Sequence, residues 1–413
     1  MSKVRWRKGA LSAAIASSVA LIFGTSSLYI STFALFLKPV SNELHWNPAI
    51  FPQSLLIISI IYAIAAPIAG RASDRLGAAR IVVAGNVLFA LGLFGLATMG
   101  GSLPVMYAFA AMLGLAAPLV GPATIAPVVA RWFDQGRGLM MGLTLGAAPQ
   151  IAAAAFSPLI AQGIEHLGWR TSYRMIGLSA LLISIPCTLL FLRNPKEPST
   201  EASGGAAQAG QLPGLTLKEA LRGRPFWLML AASASLALVY GGVNGHLVAW
   251  QSDHGMSAAF SAEVLSAMFI GAVAGPIVAG AFADRVRRPQ VLVPFVAAPL
   301  LGLVLLIAHG NAWLTIAGSA LLGFGFSALV GQISLLVTRY YGLRSTGELS
   351  GVLISFGGIM LGVGPVVIGV ARTLMGSYDP AMVLCLAVLV VPPICMLILP
   401  PYPAASSADA RNS

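Results

Sequence analysis

Ser26, Ser27, Tyr29, Thr124, Gln150, Tyr240, Asn244, His246, Gln332, Ser334 and Ser355 are polar side chains set inside otherwise apolar stretches. Their chemistry is hydrogen bonding: hydroxyls and amides that orient a ligand within an apolar pocket. Taken singly, each also has a plainer reading as a satisfied hydrogen bond between two helices, the more common fate of such groups. His246 alone among them titrates near neutral pH, which makes it the candidate proton carrier, with Asp253 and Glu263 close by in sequence. No Asp, Glu, Lys or Arg occupies the middle of any of these stretches. Nor does the chain carry HExxH, GxSxG or a P-loop lysine motif. The residues therefore point to recognition rather than catalysis. No catalytic residue, metal ligand or cofactor is expected, and an enzyme is not.

The elements that must position these groups follow from composition. Of 413 residues, 57% are hydrophobic and 9% are charged, and the mean hydropathy is +0.86. A soluble domain carries about 25% charged residues, so a soluble enzyme and a disordered chain are both excluded. A spanning helix needs about 20 apolar residues. Apolar runs occur at 11–37, 51–70, 80–99, 105–130, 138–163, 172–192, 225–250, 261–283, 290–309, 313–337, 348–372 and 380–400. The first is too long for a signal-peptide core and reads as a retained helix. The sequence predicts an all-α membrane protein with twelve transmembrane helices.

The net charge of +11 raises nucleic acid as a partner, but the position of the charge answers the question. With the N-terminus in the cytoplasm, 20 of the 24 Lys and Arg residues fall on the cytoplasmic side. Only Lys38, Arg170, Arg174 and Arg372 fall outside. This asymmetry is the positive-inside pattern. It predicts a multi-pass protein of a bacterial-type cytoplasmic (inner) membrane with both termini cytoplasmic, the lipid bilayer as partner and no nucleic acid. Cys187, Cys385 and Cys395 lie in apolar runs with no disulfide or metal spacing.

Residues 193–224 are rich in Pro, Gly, Ser, Ala and charge, a composition that cannot bury a core. They read as a cytoplasmic linker in which LTLKEALRG forms a short surface helix. The linker divides the chain into an N-terminal six-helix bundle (1–192) and a C-terminal one (225–400), with a cytoplasmic tail at 401–413. The halves repeat. Gly70-Arg71-Ala72-Ser73-Asp74-Arg75 in the loop after predicted helix 2 matches Gly280-Ala281-Phe282-Ala283-Asp284-Arg285 after predicted helix 8, at an offset of 284 − 74 = 210. Arg131-Trp132-Phe133 matches Arg339-Tyr340-Tyr341 at an offset of 208, and Thr124 matches Gln332 at the same offset. Two pseudo-symmetric bundles with equivalent loops predict a transporter whose site lies between them at mid-membrane. Glycines gather at Gly241, Gly242 and Gly245 in predicted helix 7, where bending and close packing are both open readings.

GRASDRLGAAR (Gly70 to Arg80) and its echo GAFADRVRRP (Gly280 to Pro289) resemble the loop signature of the major facilitator superfamily, over essentially the whole chain. The resemblance implies secondary transport of a small molecule by alternating access in a protein that works as a monomer. It also implies that predicted helices 1, 4, 7 and 10 surround the cavity. Asp74, Arg75, Arg131, Asp284, Arg285 and Arg339 then form a cytoplasmic gate, Asp74 pairing with Arg131 and Asp284 with Arg339. RWFDQGRGLMMG, GWRTSYRMIG, GHLVAWQSDHGMS and MGSYDPA are similar to the monocarboxylate transporter and oxalate/formate antiporter branch. That implies a monocarboxylate or related organic acid moved with protons. The branch places an arginine in helix 8 and a lysine in helix 1, but here those positions fall on Pro276 and near Ser31. The missing cations open the alternative of a neutral or amphipathic solute, taken up or exported.

Overall fold

The computed structural model describes residues 9–133, 140–192, 215–286, 288–308, 311–342 and 346–402. Their regular structure is helical. The first span, α1, comes in three pieces: Ala10–Ile22, a π-helical turn at Ser26–Ile30, and Phe33–Glu43. Then come α2 (Gln53–Leu76), α3 (Ala78–Thr98) and α4, which is Leu103–Leu119 continued by Pro122–Trp132. One long helical stretch follows, from the π turn Gly142–Ala147 through Ala148–Ser179 and on to Phe191. Gly168, at φ 79°, divides it into α5 and α6, since only glycine takes that backbone without strain.

The second half consists of α7 (Arg224–Asp253), α8 (Ala258–Arg285), α9 (Val293–Ile307), α10 (Ala312–Tyr341) and α11 (Thr346–Met375). It ends with α12, Asp379–Leu389 and Val391–Ile398. Among the described residues, ten helical stretches are long and apolar enough to cross a membrane. Dividing the 142–191 stretch at Gly168 and joining the pieces of α1 gives twelve spans. They form two pseudo-symmetric six-helix bundles.

The apolar runs underestimate the helices at their ends. Asp74 and Arg75 do not lie in a loop: α2 continues to Leu76, and the turn into α3 is the single residue Gly77, at φ 87°. Gly280 to Arg285 likewise belong to α8. Backbone hydrogen bonding continues past the apolar span, and a basic residue in the last turn suits the negative end of the helix dipole. The expected surface helix in LTLKEALRG is present at Leu217–Ala220, held by a capping box between Thr216 and Glu219.

Within a half, small residues set the spacing. α7 runs unbroken, and a Cβ on Gly242 would lie 3.1 Å from the Gly364 carbonyl oxygen of α11. The helix 7 glycines are thus packing residues, not a bend. His246 ties the same group together: it hydrogen-bonds the Pro365 carbonyl through Nε2 at 2.8 Å and the Tyr378 hydroxyl through Nδ1 at 3.2 Å. A carbonyl only accepts, so Nε2 carries the proton and Nδ1 accepts from the tyrosine.

Candidate functional site

A cavity of about 640 Å³ lies between the two halves, within the size range of small-molecule sites. Its wall is built by α1, α4 and α5 from one half and by α8 and α10 from the other. It extends from mid-span residues such as Ser26 and Gln150 to Gly142, toward the end of the molecule where α2, α8 and α10 finish with Arg75, Arg285 and Arg339 in their last turns. We call that the basic end, and the opposite one the far end.

Two π turns border this cavity, and that is how the sequence shapes it. Ser26 opens the π turn of α1, while Gly142 to Ala147 are the π turn of α5 and line the wall along most of their length. π turns widen a helix and are frequent at functional sites. Ser31 and Thr32 return their hydroxyls to the Ser26 and Leu28 carbonyls, at 2.9 and 2.8 Å, and so satisfy backbone where the helix is irregular. On the facing wall, Pro276 removes the backbone donor that a regular helix would give the Ala272 carbonyl, and both residues line the cavity.

Three of the sequence-predicted side chains meet here: Ser26, Gln150 and Gln332. Gln332 holds the Pro276 carbonyl at 3.4 Å, a long contact that a ligand can replace. The other candidates lie elsewhere. Thr124 is buried and closes the break in α4 by donating to Pro118 at 3.0 Å, so the repeat equivalents Thr124 and Gln332 have parted roles. Tyr29 is buried against Ser54, Phe33 and Tyr173. Tyr240 stands behind the wall, stacked at 4.0 Å on Phe326, which does line the cavity. Asn244 is buried in α7, and His246 is committed to α11 and Tyr378. Ser355 is exposed on α11 and is not part of the wall. α8 takes the place in the wall that the resemblance implied for α7. Ser327, Phe326 and Pro149 were missed; the available signal for the last was the cluster Gly142, Gly146, Pro149 and Pro158.

No charged residue lines this cavity among the described residues. Of the proposed gate, Arg75 and Arg285 are exposed, and Arg339 donates to the Ala283 carbonyl at 2.9 Å beneath the Tyr402 ring. The side chains of Asp74, Arg131 and Asp284 lie outside the described residues.

The far end differs in kind. There the halves touch. Lys38 of α1 meets Asp253 of α7 at 2.5 Å, Arg372 of α11 meets the same carboxylate at 3.3 Å, and Thr373 donates to Asn47 at 2.5 Å. A Cβ on Gly369 would stand 2.8 Å from Ala49 Cα and from the Pro48 carbonyl oxygen. Deeper, Ser266 of α8 donates at 2.8 Å to the Ala154 carbonyl of α5, the acceptor that Pro158 leaves without its helical partner. These hydrogen bonds between the halves lie at mid-span or beyond it, toward this end. Sequence reasoning placed Lys38 and Arg372 on the sparse outer side but gave them no role. Their rarity there was the available signal.

Six helices facing six, with a cavity between them that is sealed at one end, is the architecture of a secondary transporter. The Major Facilitator Superfamily model matches residues 17–365. The chain belongs to the major facilitator superfamily. It is 26% identical over 341 residues to the MFS-type transporter YhjX of Escherichia coli (strain K12), covering 81% of this chain and 82% of that one. It is 29% identical over 226 residues to monocarboxylate transporter 13 of Rattus norvegicus, covering 54% of this chain and 50% of that one. Among solved structures, the nucleoside transporter NupG superposes with a TM-score of 0.73 at 13% identity, covering 95% of this chain and 99% of that one. A bacterial homologue of the human lysosomal transporter Spinster, in an inward-facing and occupied conformation, superposes with a TM-score of 0.66 at 14% identity over 94% of each chain. As a member of the superfamily, the chain is a multi-pass membrane transporter of small molecules and not an enzyme.

Proposed function

We propose that this transporter imports a monocarboxylate or related organic acid with a proton, and that the acid occupies the central cavity in its neutral, protonated form. The observation that carries this is the cavity wall, which among the described residues offers Ser26, Gln150, Gln332 and apolar surface but no cation. An unpaired carboxylate there would face a desolvation cost of several kcal/mol. A protonated carboxyl needs only a donor and an acceptor, which an amide supplies. Proton coupling then travels on the solute itself and asks for no carrier side chain. The likeness to monocarboxylate transporter 13 supports the acid.

In this reading the basic end is cytoplasmic, the far end is outer, and the chain stands open to the inside. Each of the units 1–192 and 225–400 moves as a body, and the protein acts as a monomer in the inner membrane. Asp74, Arg75, Arg131, Asp284, Arg285 and Arg339 close the cytoplasmic side in the opposite state. The same cation-free wall favours a second reading, uptake or export of a neutral or amphipathic metabolite or drug-like compound.

Proteoliposomes with an alkaline interior separate the two. Saturable uptake of labelled monocarboxylates that a protonophore collapses is the expected result. Uptake of neutral amides and nucleosides with no uptake of acids selects the second reading.

A further inference from the structure

We infer that the cleft at the outer end of the half interface is a recognition site for a small carboxylate, one that Asp253 fills until the solute displaces it. The inference rests on the acid reading above. The cleft has a volume of about 270 Å³, and its walls include Lys38, Asn42, Trp46, Asp253, Arg372 and Tyr378. One Asp253 oxygen takes Lys38 at 2.5 Å and the other takes Arg372 at 3.3 Å. Two cations on one carboxylate leave a positive balance. Asp253 is the one acid in the cleft wall among the described residues; Glu43 is paired with Arg170, and Asp379 accepts from the Trp250 indole outside that wall.

The three side chains are about a third exposed, so a solute can compete for them. Arg372 is preorganised, lying over the Tyr378 ring and donating to the Gly376 carbonyl. Trp46, half-buried in the cleft wall, offers the aromatic surface that an organic acid needs for its apolar body. Lys38 belongs to one half, while Asp253 and Arg372 belong to the other. Parting the halves therefore takes Lys38 away from Asp253 and presents it to an entering anion. A solute carboxylate between Lys38 and Arg372 reproduces the bridge that the chain makes with itself.

The test uses the purified full-length protein in nanodiscs. Acetate, lactate and benzoate are titrated against acetamide, lactamide and benzamide at constant ionic strength, with melting temperature as the readout. The acids are expected to raise the melting temperature and the amides are not. Arg372→Gln and Lys38→Gln should each weaken the acids by about tenfold, and Arg372→Lys and Lys38→Arg should restore part of the loss. Asp253→Asn, which vacates the bridge, should tighten them by about threefold or more. No acid response even in Asp253→Asn overturns the site, as does a response unchanged in both glutamine variants. Charge-dependent binding without acid uptake in proteoliposomes would sink the transport reading and leave the site standing. Acid uptake with an unaltered KM in both glutamine variants would sink the site alone.

Discussion

The central cavity and the far-end seam are both made where the two halves meet, yet they are built from opposite materials. The cavity has π turns, prolines and a few neutral donors and acceptors, with no charge among the described residues. The seam has an ion bridge, hydrogen bonds between side chains and backbone in van der Waals contact. The difference teaches where each kind of force is useful. In a low-dielectric interior a lone charge is costly and selects one occupant, so a neutral wall suits a solute that must also leave. At a wet interface a charge pair is weak, commonly below about 1 kcal/mol. Such a pair suits a contact that must break in every cycle.

The comparison breaks first at the seam. Gly369→Leu places a side chain where 2.8 Å separates a Cβ from Ala49 and Pro48. The outer face can then no longer close. Transport should fall by well over about tenfold, because one of the two states is lost. A cysteine placed at 47 should become permanently open to a charged thiol reagent; full transport with a protected cysteine would show that the seam does not need to seal.

The next effect lies behind the seam, where His246 holds Tyr378. His246→Phe removes the bonds to Pro365 and Tyr378 and should lower stability by about 1–3 kcal/mol, measured as reduced thermal stability in detergent. Uptake in the surviving protein should keep its pH dependence. If accumulation against a proton gradient vanished while exchange persisted, His246 would be the proton carrier and the cavity would not be the whole site.

Gln332→Leu sharpens the neutral-wall argument. It should raise KM by about threefold to tenfold, the worth of one hydrogen bond, with little change in thermal stability. No change in KM would mean that the solute sits elsewhere. Glu43→Gln should do least. It loosens the Arg170 and Trp169 contacts within one half, at a half-exposed site, and should leave transport rates within about twofold.

Much of the architecture was legible because it follows from solvent. Runs of apolar residues long enough to span reflect the membrane directly. The repeat in GRASDR and GAFADR gave the two halves. The site was legible only in type. Sequence said that it would be neutral, and it named Ser26, Gln150 and Gln332 among its candidates. It could not separate these from Tyr29, Thr124 and Asn244, because a polar group facing a cavity and one facing a neighbouring helix have the same spacing. The π turns were hidden for a related reason. They depend on which carbonyl each N–H finally reaches, and that is decided by what packs against the turn. The helix 7 glycines show the same limit: flexibility and close approach ask for the same residue, and only Gly364 across the gap tells them apart.

The glycine contact at Gly369 sets how the molecule can move. Backbone pressed on backbone has no rotamers with which to yield gradually. A gap of an ångström or two would already forfeit most of the attraction between those surfaces. Closure there works like a machined stop rather than a cushion, and a stop defines a position. The closed outer face is thereby one reproducible arrangement, and the motion between the two open states is close to a switch, with few resting places along the way.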